Sequence, residues 1–202
     1  MKRNVGIPLQ STNRVFITGG SMKKGLILIT FAVFFMSTQF LSAQMNHTKH
    51  QNSTIKRAIA VITSTKGNSV HGVVTFEEVD KGVRVVAHLA GLAPGKHGFH
   101  IHEFGDINSE DGSSAGGHFN PMGMPHSMPM NDKRHAGDMG NIEADENSNA
   151  HLDYIDPVMK MNGEYSIIGH AVIIHEKADD FKTQPTGNAG SRIGYGVIGI
   201  AK

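Results

Sequence analysis

The sequence contains no cysteine and no tryptophan among its 202 residues. Without cysteine the chain cannot form disulfide bonds, so its stability has to come from packing, from a metal or from a partner. Long apolar runs are missing too. The run 26–36 is interrupted only by Thr30 and is shorter than the roughly 20 residues that a membrane-spanning helix needs.

Beyond residue 43 the acidic residues outnumber the basic ones. The formal net charge of the whole chain is +1, but residues 1–43 contain no acid and carry Lys2, Arg3, Arg14, Lys23 and Lys24. The remaining chain therefore has a net charge of about −4, and it has no basic stripe for nucleic acid.

Residues 1–43 have the composition of a targeting segment. A positive start, an apolar run and a small-residue cleavage site follow one another at Met22-Lys23-Lys24, 26–36 and Leu41-Ser42-Ala43. We interpret 22–43 as a secretory signal peptide with Met22 as the true start; the alternative is one longer leader. The protein is therefore expected to be exported, to the periplasm or the extracellular space, with no membrane span after signal removal.

The remaining chain divides into a polar lead-in and one domain. Residues 44–54 are expected to be flexible, with His47 and His50 solvated; weak copper capture by this tail is the alternative. Residues 55–202 are expected to form a single domain.

The domain has the sequence pattern of β-strands. Apolar and polar residues alternate with a period of two, and no segment shows a helical stripe. The predicted strands lie within 55–62, 70–76, 83–89, 98–103, 140–144, 150–155, 168–175 and 194–201. About eight short strands separated by turn residues predict an all-β barrel or sandwich. Two long stretches without this pattern, 104–139 and 176–193, are expected to be functional loops.

Histidine is abundant, with 13 residues in the chain. His100 and His102 alternate with Phe99 and Ile101, so the two imidazoles share one face of a strand and can reach one ion. Five more potential ligands follow, His118, His126, His135, Asp138 and His175. Imidazole and carboxylate ligands suit copper and zinc, so this set predicts a metal centre.

Five segments of the chain resemble the copper/zinc superoxide dismutases. They are GFHIHEFGD at 98–106, SAGGHFNP at 114–121, RHAGDMGN at 134–141, HEKADD at 175–180 and GNAGSRIGYGVIGIA at 187–201. The resemblance covers 55–202 and implies an eight-stranded Greek-key β-barrel or sandwich that acts on superoxide. The reaction it implies oxidises one superoxide to oxygen and reduces a second to hydrogen peroxide.

Carried onto this sequence, the resemblance implies a copper site and a zinc site that share one histidine. The copper ligands would be His100, His102, His118 and His175. The zinc ligands would be His118, His126, His135 and Asp138, with His118 bridging the two metals and also carrying a proton. Zinc would then fasten the long loop, because metal binding to a site absent from the unfolded chain contributes folding energy.

Two more residues match functional positions of the family. Asp179 resembles the carboxylate that hydrogen-bonds one copper ligand and one zinc ligand and so fixes their orientation. Arg192 resembles the arginine that attracts and orients the anion beside copper. A structural hydrogen bond is expected for His97, and His71, His88, His151 and His170 are expected to be surface residues.

The chain departs from the family pattern in several places. The two positions of the usual disulfide hold Gly112 and Tyr195, and we expect Tyr195 to pack over Gly112. The second loop is short, and Lys182 is the one nearby candidate for steering the substrate. The first loop is rich in methionine, at Met122, Met124, Met128 and Met130. We interpret these as flexible gap fillers, with capture of Cu(I) as the alternative.

The leading interpretation is thus an exported superoxide dismutase. The alternative is an exported protein that binds or buffers copper and zinc with little turnover; it would share every metal ligand but would need neither Arg192 nor Asp179. A purely structural β module would not need the ligand set. GVIGIA, at 196–201, resembles a dimer-forming segment, so a homodimer is expected.

Overall fold

The computed structural model describes residues 54–202, so the predicted leader and nearly all of the lead-in 44–54 lie outside the described residues. The strands are β1 Arg57–Ser64, β2 His71–Val79, β3 Gly82–Ala90, β4 Gly95–His102, β5 Asp138–Ala144, β6 Asn149–Asp156, β7 Ala171–His175, β8 Arg192–Val197 and β9 Gly199–Ala201. A short 3₁₀ helix, Ser113–Ala115, lies between β4 and β5. No helix within 54–202 is long and apolar enough to cross a membrane.

The strands close into an antiparallel barrel. Their order is β2-β3-β6-β5-β4-β7-β8-β1, and β1 pairs with β2 to complete the ring, while β9 adds to β1. The order β6-β5-β4-β7 is a Greek key, because three consecutive strands are joined by a fourth that returns beside the first. The predicted all-β, eight-stranded Greek-key fold is confirmed.

Alternating side chains build the core as the sequence pattern indicates. Every second residue of β1 and β3 is buried, as Ala58, Ala60 and Ile62 and as Val83, Val85, Ala87 and Leu89. Burial of one large apolar side chain stabilises the fold by about 1.5–3 kcal/mol. The barrel therefore provides a rigid frame on which loops can place polar groups.

The observed elements differ from the predicted ones near the C-terminus. The predicted strand 168–175 begins only at Ala171, because Gly169 has a positive φ and the N–H of His170 bonds to Ile167 O in a turn. The predicted strand 194–201 is divided at Ile198, whose backbone bonds to residues 169 and 170 instead of β1. Residues 157–170 therefore form a third long connection between strands, in addition to the two predicted loops.

Candidate metal centre

Two strands place histidines side by side on the outer surface of the barrel, beneath the loops. On β4, Phe99 and Ile101 belong to the apolar core, so His100 and His102 point the opposite way and are fully buried there. β7 pairs with β4 and ends at His175, whose Nε2 lies 3.3 Å from Nε2 of His102. His118 lies next to them because its backbone forms an isolated antiparallel β-bridge with the backbone of His102. We name His100, His102, His118 and His175 the strand cluster, whose ligand atoms lie within 4.8 Å of one another.

Backbone and carboxylate acceptors fix the proton position on three of these imidazoles. Nε2 of His100 donates to Asp179 Oδ2 at 2.7 Å, Nδ1 of His102 to Gly116 O at 2.9 Å, and Nδ1 of His175 to Gly190 O at 3.2 Å. In a neutral imidazole only one nitrogen carries a proton. The other nitrogen of each ring therefore presents a lone pair to the centre of the cluster.

Burial keeps these rings neutral. Desolvation lowers the pKa of His175 to about 3, and it lowers the pKa of His102 well below its usual 6.5. Desolvation also lowers the pKa of His118 to about 4, although Asp138 opposes the shift. Several lone pairs that face one another without protons form a site where a cation can bind. A nitrogen-rich set of this kind fits copper.

The second group forms around one carboxylate. Oδ1 of Asp138 lies 2.8 Å from Nδ1 of His118, 2.9 Å from Nδ1 of His126 and 3.3 Å from Nδ1 of His135. We name His118, His126, His135 and Asp138 the loop cluster. A tetrahedral zinc with ligand bonds of about 2.0–2.1 Å would hold its ligands about 3.3 Å apart, close to these separations. The mixed nitrogen and oxygen set fits zinc.

Electrostatics within the loop cluster favour the ionised carboxylate. Desolvation would raise the pKa of Asp138, but the hydrogen bonds from His118 and His126 outweigh it and hold that pKa far below its usual value. Oδ2 of the same carboxylate accepts the backbone N–H groups of Ser127 at 3.1 Å and His135 at 3.0 Å. Asp138 is therefore a charged acceptor with a fixed orientation.

The unpaired polar atoms of the protein point to the same place. Within residues 54–202, three buried side-chain nitrogens have no hydrogen-bond partner, and they are His100 Nδ1, His118 Nε2 and His135 Nδ1. Nδ1 of His135 comes within 3.3 Å of Asp138 but lacks hydrogen-bond geometry. A buried unsatisfied polar atom costs about 1–3 kcal/mol, so a ligand at these three atoms is the physical expectation. All three belong to the two clusters.

Asp179 joins the two clusters. Its Oδ2 accepts from His100 at 2.7 Å, and its Oδ1 lies 2.9 Å from Nε2 of His126. Asn141 holds the backbone of Asp179 on both sides, accepting its N–H at 2.7 Å and donating to its carbonyl at 3.0 Å. Desolvation opposes ionisation of Asp179, but its hydrogen bonds from His100 and His126 lower its pKa below the usual range. The structure thus gives Asp179 the contacts that the family resemblance implies.

Arg192 lies beside the strand cluster, opposite His175 in the β7–β8 pair. Its guanidinium donates to the carbonyl oxygens of Gly112 and Gly116, the latter at 2.6 Å. Burial is the main cause of the lowered pKa of His102 and of His175, and the nearby positive charge of Arg192 lowers both further. An arginine fixed in this way can attract and orient an anion.

Sequence reasoning missed two attachments of the loop between β4 and β5. Arg134 and Asp156 form a fully buried ion pair at 2.6 Å, which ties the loop to the end of β6. Gln184 exchanges hydrogen bonds of 2.8 Å with the backbone N–H and carbonyl of His126, which ties this loop to the loop between β7 and β8. Arg134 stands next to the ligand candidate His135, but nothing in the sequence names Asp156 as its partner.

The expectations for the neighbouring residues have mixed outcomes. A Cβ at Gly112 would lie 3.3 Å from Cδ1 of Tyr195, so the predicted packing of that ring over Gly112 is confirmed. Both ring nitrogens of His97 lie 2.8 Å from carbonyl oxygens, as expected of a structural histidine. Gap filling is wrong for three of the methionines, because Met122, Met128 and Met130 are exposed. Lys182 is exposed, and its role stays a prediction.

Comparisons with known proteins agree with the geometry. A family model described as copper/zinc superoxide dismutase (SODC) matches residues 70–198. The chain is 40% identical over 153 residues to Cu-Zn superoxide dismutase 5 of Dictyostelium discoideum, which covers 72% of this chain and 98% of that protein. It is 42% identical over 151 residues to Cu-Zn superoxide dismutase 3 of Arabidopsis thaliana, covering 71% and 90%. The crystal structure of the clock protein EA4 matches with 44% identity and a TM-score of 0.69, covering 75% of this chain and 99% of that one.

Proposed function

The chain belongs to the copper/zinc superoxide dismutase family, and from this premise we propose that it converts superoxide to oxygen and hydrogen peroxide at the strand cluster. It is an enzyme of that family, and its cofactors are copper and zinc. We assign copper to the strand cluster and zinc to the loop cluster, with His118 contributing one nitrogen to each. The convergence of imidazole lone pairs beside Arg192 carries this proposal.

Copper bound at the strand cluster would supply the one-electron redox chemistry that the two superoxide half-reactions need, and zinc at the loop cluster would be structural. The residues of the chain bind the anion and supply protons. Arg192 holds superoxide electrostatically, because two loop carbonyls keep its guanidinium beside the strand cluster. A fixed positive charge of this kind also raises the rate at which an anion reaches the site.

His118 is placed to deliver one proton to the reduced oxygen species. Its Nδ1 is held 2.8 Å from Asp138, whereas its Nε2 is buried without a partner and belongs to the strand-cluster side. A proton at Nε2 would therefore face the strand cluster, where the reduced oxygen species forms. The second proton comes from water.

A protein that only buffers copper and zinc would use the same two clusters. It would have no need of a guanidinium anchored by two carbonyls at the rim of the strand cluster. The placement of Arg192 therefore favours turnover over storage.

The shared position of His118 gives a direct test of the metal assignment. His118→Ala is expected to reduce both copper and zinc content, because it removes one ligand from each cluster. His102→Ala is expected to reduce mainly copper. Metal analysis of the purified variants decides the matter, and unchanged zinc in His118→Ala would contradict the assignment.

The role of Arg192 is tested through activity. Arg192→Glu is expected to lower the dismutation rate by roughly 10-fold or more with the metal content unchanged. Raising the ionic strength should slow the parent enzyme but not this variant, because salt screens the attraction. A rate equal to that of the parent would remove Arg192 from the mechanism.

We also propose export, on the composition of residues 1–43. The support is the ordered succession of a positive start, the apolar run 26–36 and a small-residue cleavage site. Expression in a host with a secretory pathway, followed by N-terminal sequencing of the exported product, is expected to give Gln44 as the first residue. Retention of the whole product inside the cells with residues 22–43 still attached would contradict export.

A homodimer is the remaining part of the proposal. Exposed apolar side chains gather on β1, β8 and β9, where Val61 is 61%, Val197 37% and Ile200 65% exposed. A contiguous exposed apolar patch is typical of a protein interface, and the strands that carry these three residues are neighbours in the sheet. Light scattering should give twice the chain mass for the parent and the chain mass for Ile200→Glu; a monomeric parent would refute the dimer.

A further inference from the structure

Histidines also meet on the outer surface of the barrel, on strands β3 and β6, which carry none of the metal-centre residues. His88 on β3 lies directly opposite His151 on β6 in the strand register. Both side chains are exposed, whereas their neighbours Ala87, Leu89 and Ala150 are buried. The two imidazoles therefore stand next to each other in solvent, on rigid strands.

The distance between these rings suits chelation. Their centroids are 4.4 Å apart with an interplanar angle of 30°, and their Nδ1 atoms are 3.2 Å apart. An ion bound at about 2.0–2.1 Å from both nitrogens would make an angle of roughly 100° with them, close to tetrahedral.

The surroundings favour a cation. The pair borders a surface depression of about 540 Å³ that is also lined by His71, Glu143 and Asp145. Glu143 and His151 are the chain neighbours of Ala144 and Ala150, which pair between β5 and β6. Nδ1 of His71 lies 2.9 Å from Ser69 O, which leaves its Nε2 free. No lysine or arginine of residues 54–202 lines this depression.

We propose that His88 and His151 form a third metal site, which takes one Zn²⁺ or Cu²⁺ ion through their Nδ1 atoms. Imidazole is a preferred ligand of these two ions, and the carboxylates of the depression add negative charge. The site is separate from the strand cluster and the loop cluster, since it shares no residue with them. A simple hydrogen bond between two neutral imidazoles is the competing explanation of the 3.2 Å contact.

The test is a calorimetric titration of Zn²⁺ into the full-length holoenzyme whose copper and zinc content has first been measured. His47→Asn and His50→Asn are introduced into every protein, because these tail histidines could bind zinc by themselves. The parent is expected to take up one further equivalent of zinc per chain. His88→Asn and His151→Asn should each abolish that uptake and leave the dismutase activity unchanged.

Two controls make the result specific. Glu77→Gln changes an exposed residue of the neighbouring strand β2 and should retain the further equivalent. Ca²⁺ should give no binding at the same concentration, since it prefers oxygen ligands and would report the carboxylates alone. The imidazole NMR signals of His88 and His151 should shift with zinc in the parent. The proposal is overturned if no further equivalent binds, or if the equivalent survives both histidine substitutions.

Discussion

The strand cluster and the loop cluster share His118 but rest on different kinds of backbone. In the strand cluster, the ladder between β4 and β7 positions His100, His102 and His175, so the barrel itself sets the spacing of the rings. The loop cluster takes His126 and His135 from an irregular segment, where side chains must replace the ladder. The first site is therefore formed with the sheet, whereas the second depends on individual attachments that can be removed one at a time.

The largest effect is expected from the buried attachment of the loop. Arg134→Ala leaves Asp156 charged and buried without its partner, which costs about 3–5 kcal/mol of unfolding free energy. Zinc should be lost before copper, because His135 follows Arg134 directly. Arg84→Ala, in the exposed pair with Asp153, is the matched control and should cost much less. Denaturant unfolding measures the stability of both variants, and metal analysis measures their zinc and copper content. Equal losses of stability in the two variants would contradict the special role of the buried pair.

Removal of the loop-cluster carboxylate should have the next largest effect. Asp138→Ala leaves the buried N–H of His135 and the N–H of Ser127 without their acceptor, at a cost of about 1–3 kcal/mol. Zinc content should fall sharply. Copper should stay with the strand cluster, whose ligands do not include Asp138. Simultaneous loss of both metals would mean that the sheet does not hold the strand cluster independently.

Asp179 tests the connection between the clusters. Asp179→Ala removes the acceptor of both His100 and His126 without removing any ligand. Loss of such an outer partner typically lowers metal affinity by about 10–100-fold, and here we expect both metals to be affected. Competition with a chelator measures the two affinities. If one affinity alone changed, Asp179 would serve a single cluster.

The smallest effect is expected where Tyr195 on β8 contacts the loop between β4 and β5. Tyr195→Ala removes a half-buried ring from Gly112, at a cost of about 1 kcal/mol for the apolar area lost. Tyr165→Ala, an exposed tyrosine, serves as the control. Thermal unfolding of the two holoenzyme variants should give a lower midpoint for Tyr195→Ala than for Tyr165→Ala. A Tyr195 variant as stable as the parent would mean that the ring does not hold the loop.

The barrel and the strand cluster were predictable because they follow from a period of two. Alternation alone placed Phe99 and Ile101 in the core and His100 and His102 on the other face. The break at Ile198 was not predictable, because its backbone partners are in residues 169 and 170 and no local pattern records them. Likewise, the pairing of His88 with His151 depends on strand register, which a single sequence does not reveal.

The loop cluster was recognised through its resemblance to a family, and hardly through local pattern. Loop residues have no periodicity, so spacing cannot say that His118, His126 and His135 converge on one carboxylate oxygen. The supporting contacts were missed for the same reason. Arg134 and Asp156 are far apart in sequence and meet only because the loop folds back on β6.

The contact of Tyr195 with Gly112 also determines how the protein responds to the redox state of its surroundings. The loop is attached there by packing and by hydrogen bonds from Arg192, none of which can be reduced. A disulfide in this place would have a reduction potential, and a thiol buffer of sufficiently low potential could open it. Here no such potential exists. Glutathione or dithiothreitol, used without removing the metals, has no bond to cleave, so the loop keeps this attachment in reducing and oxidising media alike.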